Sequence, residues 1–380
     1  MESNPRPITA IQGPLSVPQG ARVLSVATVA TSLVRQSPLM WDVWKGAGAD
    51  ITFASAADGL EGRLARWGRH VEINTSRSFR HAVRPQAWRD MRALFRFPWQ
   101  YVQFQSPIAG AIGRITLPRK RQFPVVYVAH GFHFHRDGGL LPNTVYRMVE
   151  EGLSGRADAV MVVCQEDFDI ARTGPIGHRT RVFRLPGGGV DVDNFGSANP
   201  QRIFPDDCLV ALFCGELSAT KNPLKAVDAV LQARDKGRDV RLVVVGDGAM
   251  RSRLDRYLAR VDAGEWLKHI PLSDDMPALM RGADLILSTS SREGLPRVLV
   301  EGLAAGIPIV SVANRGSREL FANDMGHVVP QRDMSLLVDA LVTFRSDNFP
   351  SREEMRRRAE IYSSTRVEVA YRTALEELLA

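Results

Sequence analysis

The 380-residue sequence has little cysteine and no long apolar run, and both shortages narrow its class. Its three cysteines, Cys164, Cys208 and Cys214, lie in or beside apolar runs. We therefore expect reduced core thiols in a cytoplasmic protein, with neither a disulfide framework nor a metal site. No stretch approaches the ~18 consecutive apolar residues of a membrane-spanning helix. The first residues lack the basic and then apolar order of a secretory signal, and the four prolines within residues 1–20 predict a flexible tail there.

Signatures of several binding classes are also absent from the sequence. There is no zinc-finger spacing and no basic-aromatic RNA-binding sequence, so we expect no nucleic-acid partner. No Gly-x-Gly-x-x-Gly follows the first predicted strand, at residues 22–27, which argues against a dinucleotide-dependent oxidoreductase. The net charge of +7 nevertheless favours an anionic partner, such as a nucleotide or an anionic lipid surface.

Short β-branched runs alternate with helical patterns along the whole chain, which predicts an α/β fold with doubly wound parallel sheets. The length suits two domains of similar size: a tail at 1–20, a first Rossmann-like domain at 21–198, a second at 203–362, and a helix at 363–380 that crosses back to the first. The polar segment 196–202 is the expected linker. The predicted strands are residues 22–27, 50–54, 99–103, 125–129 and 159–163 in the first sheet, and 208–213, 241–245, 285–288 and 309–312 in the second.

The segment 290–311 carries the most specific pattern in the chain. Glu293 and Glu301, with seven residues between them, flank the start of a helix that lies between two buried strands. A helix start offers backbone N–H groups and a positive dipole end to a diphosphate. A carboxylate can accept hydrogen bonds from neighbouring hydroxyls of a ribose or a hexose. The pattern therefore points to a nucleotide-sugar site.

This spacing, with Gly-Leu-Pro after Glu293 and Gly-Ile-Pro at 306–308, resembles the signature of the retaining glycosyltransferases of family 4. The resemblance implies the GT-B architecture, in which two Rossmann-like domains face a central cleft. It also implies a hexosyl- or N-acetylhexosaminyltransferase with a nucleoside-diphosphate sugar as donor, a UDP-sugar being expected, and neither a cofactor nor a metal. Similar bacterial enzymes act in exopolysaccharide, capsule and lipid-linked oligosaccharide synthesis, so the implied acceptor is a lipid-linked sugar or a glycan.

Further motifs extend this resemblance across both predicted domains. They are the loop after the strand 208–213, the Val-Gly-Asp-Gly turn at 245–248, the loop at 270–275 and the strand-end histidine at residue 130. In the family's terms, Glu293 binds the donor sugar, Glu301 binds the ribose, and Lys221 binds the diphosphate with the backbone around 294–295. The implied sites are catalytic Glu293, Lys221 and His130; donor-binding Glu301, Gly294, Leu295, Gly215, Gly246, Gly248 and Leu272; and acceptor-side Ser106 and Gly131.

The sequence departs from the family pattern at several places. Glu216 stands where the family has a diphosphate-binding arginine, and Gln103 and Gln105 replace two histidines of the acceptor-side stretch. The segment 28–32, after the first strand, has no glycine. Two alternatives therefore stay open: a sugar-nucleotide 2-epimerase with the same architecture, and a non-catalytic subunit that binds a nucleotide sugar.

Residues 77–99 interleave arginines with aromatic and aliphatic side chains, with Asp90 as the single acid. Basic residues with aromatics on a helix suit an anionic lipid surface, which would place the protein at the inner leaflet of the cell membrane. The alternative is a helix whose apolar face packs on the sheet while its arginines are solvated. The arginines are Arg77, Arg80, Arg84, Arg89, Arg92 and Arg96, and the apolar residues are Phe79, Trp88, Met91, Leu94, Phe95, Phe97 and Trp99.

Overall fold

The computed structural model describes residues 15–76, 84–136, 138–205, 207–321 and 325–380. Most of the predicted tail and the predicted lipid-binding residues Arg77, Phe79 and Arg80 lie outside these ranges. The chain divides into two compact units, and the first ends at Gly189 but also contains Thr365–Ala380. The second unit is Val190–Ser364, so the boundary between the units lies before the expected linker at 196–202. The first two residues of that expected linker belong to a helix, Val192–Ser197.

Both units are built on parallel sheets, as predicted. Within the described residues, the first sheet has seven strands in the order β3-β2-β1-β4-β5-β6-β7 and the second has six in the order β10-β9-β8-β11-β12-β13. The strands are β1 Arg22–Val29, β2 Asp50–Ala56, β3 Gly68–Glu72, β4 Tyr101–Phe104, β5 Val125–Ala129, β6 Ala159–Val162, β7 Arg181–Arg184, β8 Leu209–Cys214, β9 Val240–Val245, β10 Leu267–Ile270, β11 Leu285–Ser288, β12 Ile309–Val312 and β13 His327–Val329.

Helices connect these strands and cover both faces of each sheet. In the second sheet, for example, Ala211 and Phe213 pack into one core and Val210 and Leu212 into another, because neighbouring side chains of a strand point to opposite faces. The helices are α1 Ala30–Gln36, α2 Pro38–Gly46, α3 Pro85–Leu94, α4 Pro107–Thr116, α5 Leu140–Leu153, α6 Gln165–Thr173, α7 Val192–Ser197, α8 Pro223–Asp235, α9 Arg251–Arg260, α10 Met276–Arg281, α11 Arg297–Ala305, α12 Arg315–Leu320, α13 Met334–Val342, α14 Arg352–Ala359 and α15 Ser364–Leu379.

Four strands were not predicted from the sequence, and they are the four edge strands of the two sheets. These are β3 and β7 in the first sheet and β10 and β13 in the second. Each has exposed or half-exposed positions, as in β3, which contains Arg69, His70 and Glu72. An edge strand is covered less completely than a central one, so it lacks the continuous apolar run from which the other strands were predicted.

Each sheet reverses its winding direction once. The reversal lies between β1 and β4 in the first sheet and between β8 and β11 in the second, because later strands add on the opposite side of the first strand. Ligands of such sheets bind beyond the carboxyl ends of the strands at this switch point. We therefore expect ligand-binding residues in the loops that follow β8 and β11, and in those that follow β1 and β4.

Helix α15 completes the core of the first unit. The Tyr371 hydroxyl donates to Gln103 Oε1 at 2.8 Å and accepts from Trp44 Nε1 at 2.9 Å. Tyr101 donates to the same Gln103 oxygen at 2.8 Å. Gln103 is fully buried, so the glutamine that replaces a family histidine acts here as the centre of a structural network.

Helix α3 supports the alternative interpretation of its part of the region 77–99, a helix whose apolar face packs on the sheet. Its side chains Ala87, Met91 and Leu94 are buried in the core of the first sheet, and Trp99 is buried with its Nε1 donating to Leu94 O at 2.7 Å. The arginines at 84, 89, 92 and 96 are exposed. An apolar face that is already packed against protein cannot insert into lipid, so α3 is an ordinary domain helix with solvated arginines.

Candidate active site

The loops that follow β8 and β11 meet at the switch point of the second sheet. Lys221, seven residues after β8, places its Nζ 2.5 Å from Glu293 Oε1, five residues after β11. Ser290 Oγ donates to the same carboxylate oxygen at 2.6 Å. The two side chains keep 25% and 16% of their surface exposed. The fold thus brings together the two predicted catalytic residues of this unit, and both remain accessible to a ligand.

Backbone contacts hold these two loops in register. Ser291 N donates to Thr220 O at 2.8 Å, and Thr289 Oγ1 lies 3.0 Å from Lys221 O and 2.8 Å from Asn222 O. A third loop contributes Asn314 Nδ2, which donates to Ser290 O at 3.0 Å. Gln331 Nε2 donates to Ser291 O at 2.5 Å. The pair is therefore presented on a loop that several elements hold in place, which pre-organises it for binding.

Sequence analysis did not identify these supporting residues. Asn314 also caps α12 by accepting from Ser317 N at 3.0 Å, so its motif shows only a helix start. Gln331 follows β13, an edge strand that was itself not predicted. The polar run 288–291 directly after a buried strand was the one available signal, because such a run at a strand end needs partners for its hydroxyls.

Glu301 lies in the second turn of α11, which begins at Arg297 after the N-cap Pro296. Arg297 Nε donates to Glu301 Oε1 at 2.9 Å, and the glutamate side chain keeps 15% of its surface exposed. Burial raises the pKa of Glu301, and the charges of Arg297 and Lys221 oppose this increase. The carboxylate is therefore close enough to Lys221 to feel its field. Gly294 and Leu295 lie in the loop before the helix.

The predicted glycines allow the β8 and β9 loops to approach each other closely. Gly246 has φ +144°, and a Cβ there would lie 1.9 Å from Gly215 O. Gly248 has φ +156°, and its Cβ would lie 2.7 Å from Leu217 O. Such positions admit only glycine without backbone movement. The two glycines therefore allow close packing between the loops that follow β8 and β9. Leu272, the predicted donor-binding residue after β10, has a side chain that is 61% exposed.

Glu216 occupies the family's arginine position, in the loop that follows β8. Its side chain is exposed, whereas those of Lys221 and Glu293 are half-buried. Lys221 binds Glu293 through its ammonium group.

In the first unit, His130 follows β5 and belongs to a neutral polar cluster. His130 Nε2 lies 3.0 Å from Gln105 Oε1 and 3.3 Å from Ser37 Oγ, and Ser37 Oγ also donates to Gln105. Gln105 Nε2 contacts Met40 Sδ at 3.8 Å. Burial lowers the pKa of His130 to about 4, so the imidazole is neutral near pH 7. Gly131, with φ +132°, follows directly.

Ser106 is the N-cap residue of α4, and its side chain is engaged with β1. Its Oγ accepts from Thr28 N at 2.9 Å and lies 2.6 Å from Thr28 Oγ1. Thr28 O in turn accepts from Thr75 Oγ1 at 2.8 Å. This network occupies the segment 28–32, where the family has a glycine-rich loop, and it fixes the ends of β1 and β4 at the switch point of the first sheet.

The described part of the chain contains neither a metal-binding cluster nor a membrane-spanning helix. No group of three or more His, Cys, Asp or Glu side chains there is arranged to hold a metal ion. No helix there combines the length and the apolar character needed to cross a bilayer.

Residues 197–362 match the family model of glycosyl transferases group 1. Among curated proteins, the chain is similar to the glycosyltransferase EpsD of Bacillus subtilis, with 28% identity over 59% of this chain and 61% of that protein. It is also similar to an Escherichia coli enzyme named as a UDP-Gal:alpha-D-GlcNAc-diphosphoundecaprenol alpha-1,3-galactosyltransferase, with 24% identity over 66% of this chain and 67% of the enzyme. The matched region thus spans about three fifths to two thirds of these relatives.

Solved structures show the same fold. Anabaena HepE in complex with UDP superposes with a TM-score of 0.67 and 19% identity, covering 94% of this chain and 99% of that one. The sucrose-phosphate synthase of Thermosynechococcus elongatus superposes with a TM-score of 0.75 and 14% identity, again covering 94% and 99%. The predicted GT-B fold class is thereby confirmed, with both sheets wound in the predicted way.

Proposed function

We propose that this chain, whose residues 197–362 match the glycosyl transferases group 1 model, is a glycosyltransferase that uses a nucleoside-diphosphate sugar and retains the anomeric configuration. The observation that carries the proposal is the half-buried Lys221–Glu293 pair at the switch point, with Glu301 within the field of Lys221. A cation that can reach a diphosphate and two carboxylates that can accept hydroxyl hydrogen bonds match the parts of such a donor.

The Lys221–Glu293 pair gives donor binding a specific form. A diphosphate that reaches Lys221 competes with Glu293 for the ammonium group. Once Lys221 turns to the phosphate, Glu293 can accept hydrogen bonds from the hydroxyls of the donor sugar. Negative charge on the diphosphate grows as the sugar–phosphate bond breaks, so Lys221 stabilises the transition state more than the ground state.

Glu301 binds the ribose in this proposal, and Arg297 positions it. Arg297 Nε holds Oε1 of Glu301. The interaction fixes the carboxylate orientation, and the carboxylate retains acceptor capacity for the two ribose hydroxyls. The backbone around Gly294 and Leu295, directly before α11, contributes N–H groups to the diphosphate.

The cluster around His130 serves the acceptor side. With a pKa of about 4, His130 is a poor general base near neutral pH, because it holds a proton weakly. Its ring instead orients hydroxyl groups by hydrogen bonding. The leaving diphosphate then accepts the proton of the acceptor hydroxyl on the same face of the sugar as the new bond. Gly131 and Ser106 shape this side of the site.

For the substrates, we propose a UDP-sugar as donor and a lipid-linked sugar or a growing polysaccharide as acceptor, at the inner leaflet of the cell membrane. Anabaena HepE, solved with UDP-glucose, supports the choice of base. Two relatives are named for lipid acceptors, a diphosphoundecaprenol sugar and a phosphatidylinositol dimannoside. A GDP-mannose donor, named for the second of these relatives, is the competing choice.

The decisive experiment incubates the pure protein with UDP-, GDP- and ADP-sugars and measures donor hydrolysis, with and without a metal chelator. We expect turnover of a UDP-sugar that persists when the chelator is present. A donor whose anomeric bond is axial should give a product whose new anomeric bond is also axial. A changed sugar nucleotide formed without acceptor would indicate the epimerase. Donor binding without any turnover would indicate a non-catalytic subunit.

Glu216→Arg is a companion test of the diphosphate site. Because Glu216 is exposed and the related enzymes carry a diphosphate-binding arginine at this position, an arginine there should keep or improve donor affinity in calorimetry. A collapse of transfer in this variant would show that Glu216 has a task of its own.

A further inference from the structure

Helix α5 presents five large aliphatic side chains to solvent and turns Glu150 toward the protein. Leu140, Leu141 and Met148 are 89%, 76% and 67% exposed, and Val145 and Val149 are exposed on the same side. The single fully buried residue of the helix is Glu150. A surface helix of a soluble domain normally shows the opposite arrangement, with an apolar stripe toward the core.

Buried polar contacts fix this orientation. Glu150 Oε2 pairs with Arg114 Nη2 at 2.7 Å, with 9% and 0% of the side chains exposed, and Glu150 Oε1 accepts from Tyr127 OH at 3.1 Å. Asn143 Nδ2 donates to His135 O at 2.7 Å. Rotating the helix to bury its leucines would leave a buried charge of Arg114 without its partner, which is costly. The apolar side is therefore a constant feature of the surface.

Positive charge borders this apolar side. Arg147 on the helix and Arg136 before it are exposed, and the helix's other acid, Glu151, pairs with Arg147 at 2.7 Å. At the far end of the helix, Arg179 Nη1 contacts Glu151 O at 3.5 Å and lines a cavity of about 870 Å³. Four arginines and a single acid, Asp158, are among the cavity residues; the arginines are Arg121, Arg172, Arg179 and Arg181.

We propose that the outer side of α5, together with this arginine-lined cavity, docks the protein on an anionic phospholipid bilayer. An exposed helix of 14 residues is about 21 Å long and can lie in the plane of the interface, with its aliphatic side chains below the headgroups. The flanking arginines then lie at the level of the lipid phosphates. An apolar helix with a cationic border and both acids paired complements such a surface better than it complements a second copy of this cationic chain.

The position of α5 gives this docking a purpose, which rests on the proposed function. The helix begins ten residues after His130, on the connection that leaves the carboxyl end of β5. Docking through α5 would bring a lipid-linked acceptor to the edge of the sheet that carries the acceptor-side cluster.

The test is cosedimentation of the full chain with vesicles of phosphatidylcholine that contain roughly one third phosphatidylglycerol, at low salt. The wild type should bind, and the double variant Leu141→Gln, Met148→Gln should partition at least about tenfold more weakly, since two large apolar side chains no longer enter the lipid. The variant Arg172→Glu, Arg179→Glu should lose the preference for anionic over pure phosphatidylcholine vesicles.

Phe97→Gln is the matched control, because Phe97 is an exposed aromatic residue just after α3, away from α5 in sequence, and its replacement should leave binding unchanged. The unfolding midpoint of the double variant should not fall, as both replaced side chains are exposed. Transfer to a soluble acceptor should also stay normal, which separates this proposal from the proposed activity. Unchanged sedimentation of the double variant would overturn the proposal. So would a wild-type dimer that becomes monomeric in that variant, since a second copy would then cover the helix.

Discussion

The carboxyl edges of the two sheets differ in charge although the sheets are wound alike. At the switch point of the second sheet, Lys221 and Glu293 form a half-exposed ion pair that an anionic ligand can open. At the carboxyl edge of the first sheet, His130, Gln105 and Ser37 form a neutral, largely buried cluster. The same winding thus supports two kinds of recognition, one suited to a charged diphosphate and one suited to uncharged hydroxyls.

The largest expected effect comes from removing the cation of the charged edge. Lys221→Ala should lower turnover about a hundred- to a thousandfold, because the diphosphate loses its main counter-charge as the bond breaks. Steady-state kinetics with a hydrolysed or transferred donor would measure it. Lys236→Ala is the control, since Lys236 pairs with Asp339 on the surface of the same unit, with 50% and 54% exposure. Equal turnover rates in the two variants would show that the cation at the carboxyl edge of the second sheet has no special role in the reaction.

A smaller effect is expected for Glu301→Gln, in the form of donor affinity about ten- to a hundredfold weaker in calorimetry. Ribose binding requires the ionised carboxylate, and burial raises the pKa of Glu301. Wild-type affinity should therefore fall as the pH drops through this raised pKa, starting at a higher pH than for an ordinary glutamate. The variant should show no such fall. Glu368→Gln, in the Arg372 pair of α15, should match the wild type at every pH.

The neutral network of the first unit should matter for stability. Tyr371→Phe removes the donor to Gln103 and the acceptor of Trp44 in a buried site, so the first unit should lose about 1–3 kcal/mol of unfolding free energy. Urea unfolding followed by tryptophan fluorescence would report it. Tyr257→Phe serves for comparison, because Tyr257 donates to Asp228 at a half-exposed site of the second unit. If Tyr257→Phe lost more unfolding free energy than Tyr371→Phe, the buried network of the first unit would not be the more stabilising of the two.

The smallest expected effect concerns the neutral cluster around His130 at the carboxyl edge of the first sheet. His130 should titrate with a pKa of about 4 in an NMR experiment, because burial disfavours the imidazolium ion. Its charge then stays at zero between about pH 5.5 and 8, so the rate should show no inflection from this residue there. An imidazole resonance of His130 that titrates near neutral pH would contradict the neutral cluster.

The central strands and the main motif could be predicted from sequence because their signals are local. Continuous apolar runs identified nine strands, and the loop pattern from Glu293 to Glu301 predicted a donor site around residues that the fold brings close to Lys221. The edge strands could not be found in this way, since half-exposed strands such as β7 carry arginines at both ends. The partners of the site are distant in sequence, as Gln331 is from Ser291, and only the fold brings them together.

Helix α5 shows a further limit of the sequence. Its leucines and valines at helical spacing are typical of a core-facing stripe, and nothing local distinguishes an outward apolar side from an inward one. The direction is set by Glu150, whose partner Arg114 lies on a different helix. The residues of α3 left two interpretations open for the same reason, because burial depends on which side of the helix faces the sheet.

The membership of α15 in the first unit has a consequence for the order of folding during synthesis. Domains generally fold as units, from the N-terminus, while the ribosome is still at work. Here Thr365–Ala380 is synthesised only after all of Val190–Ser364. The hydrogen bonds of Trp44 and Gln103 with Tyr371 therefore cannot form until the second unit has been translated. The second unit is continuous in the chain and can close first. The half of the protein made earliest is therefore the half that is finished last.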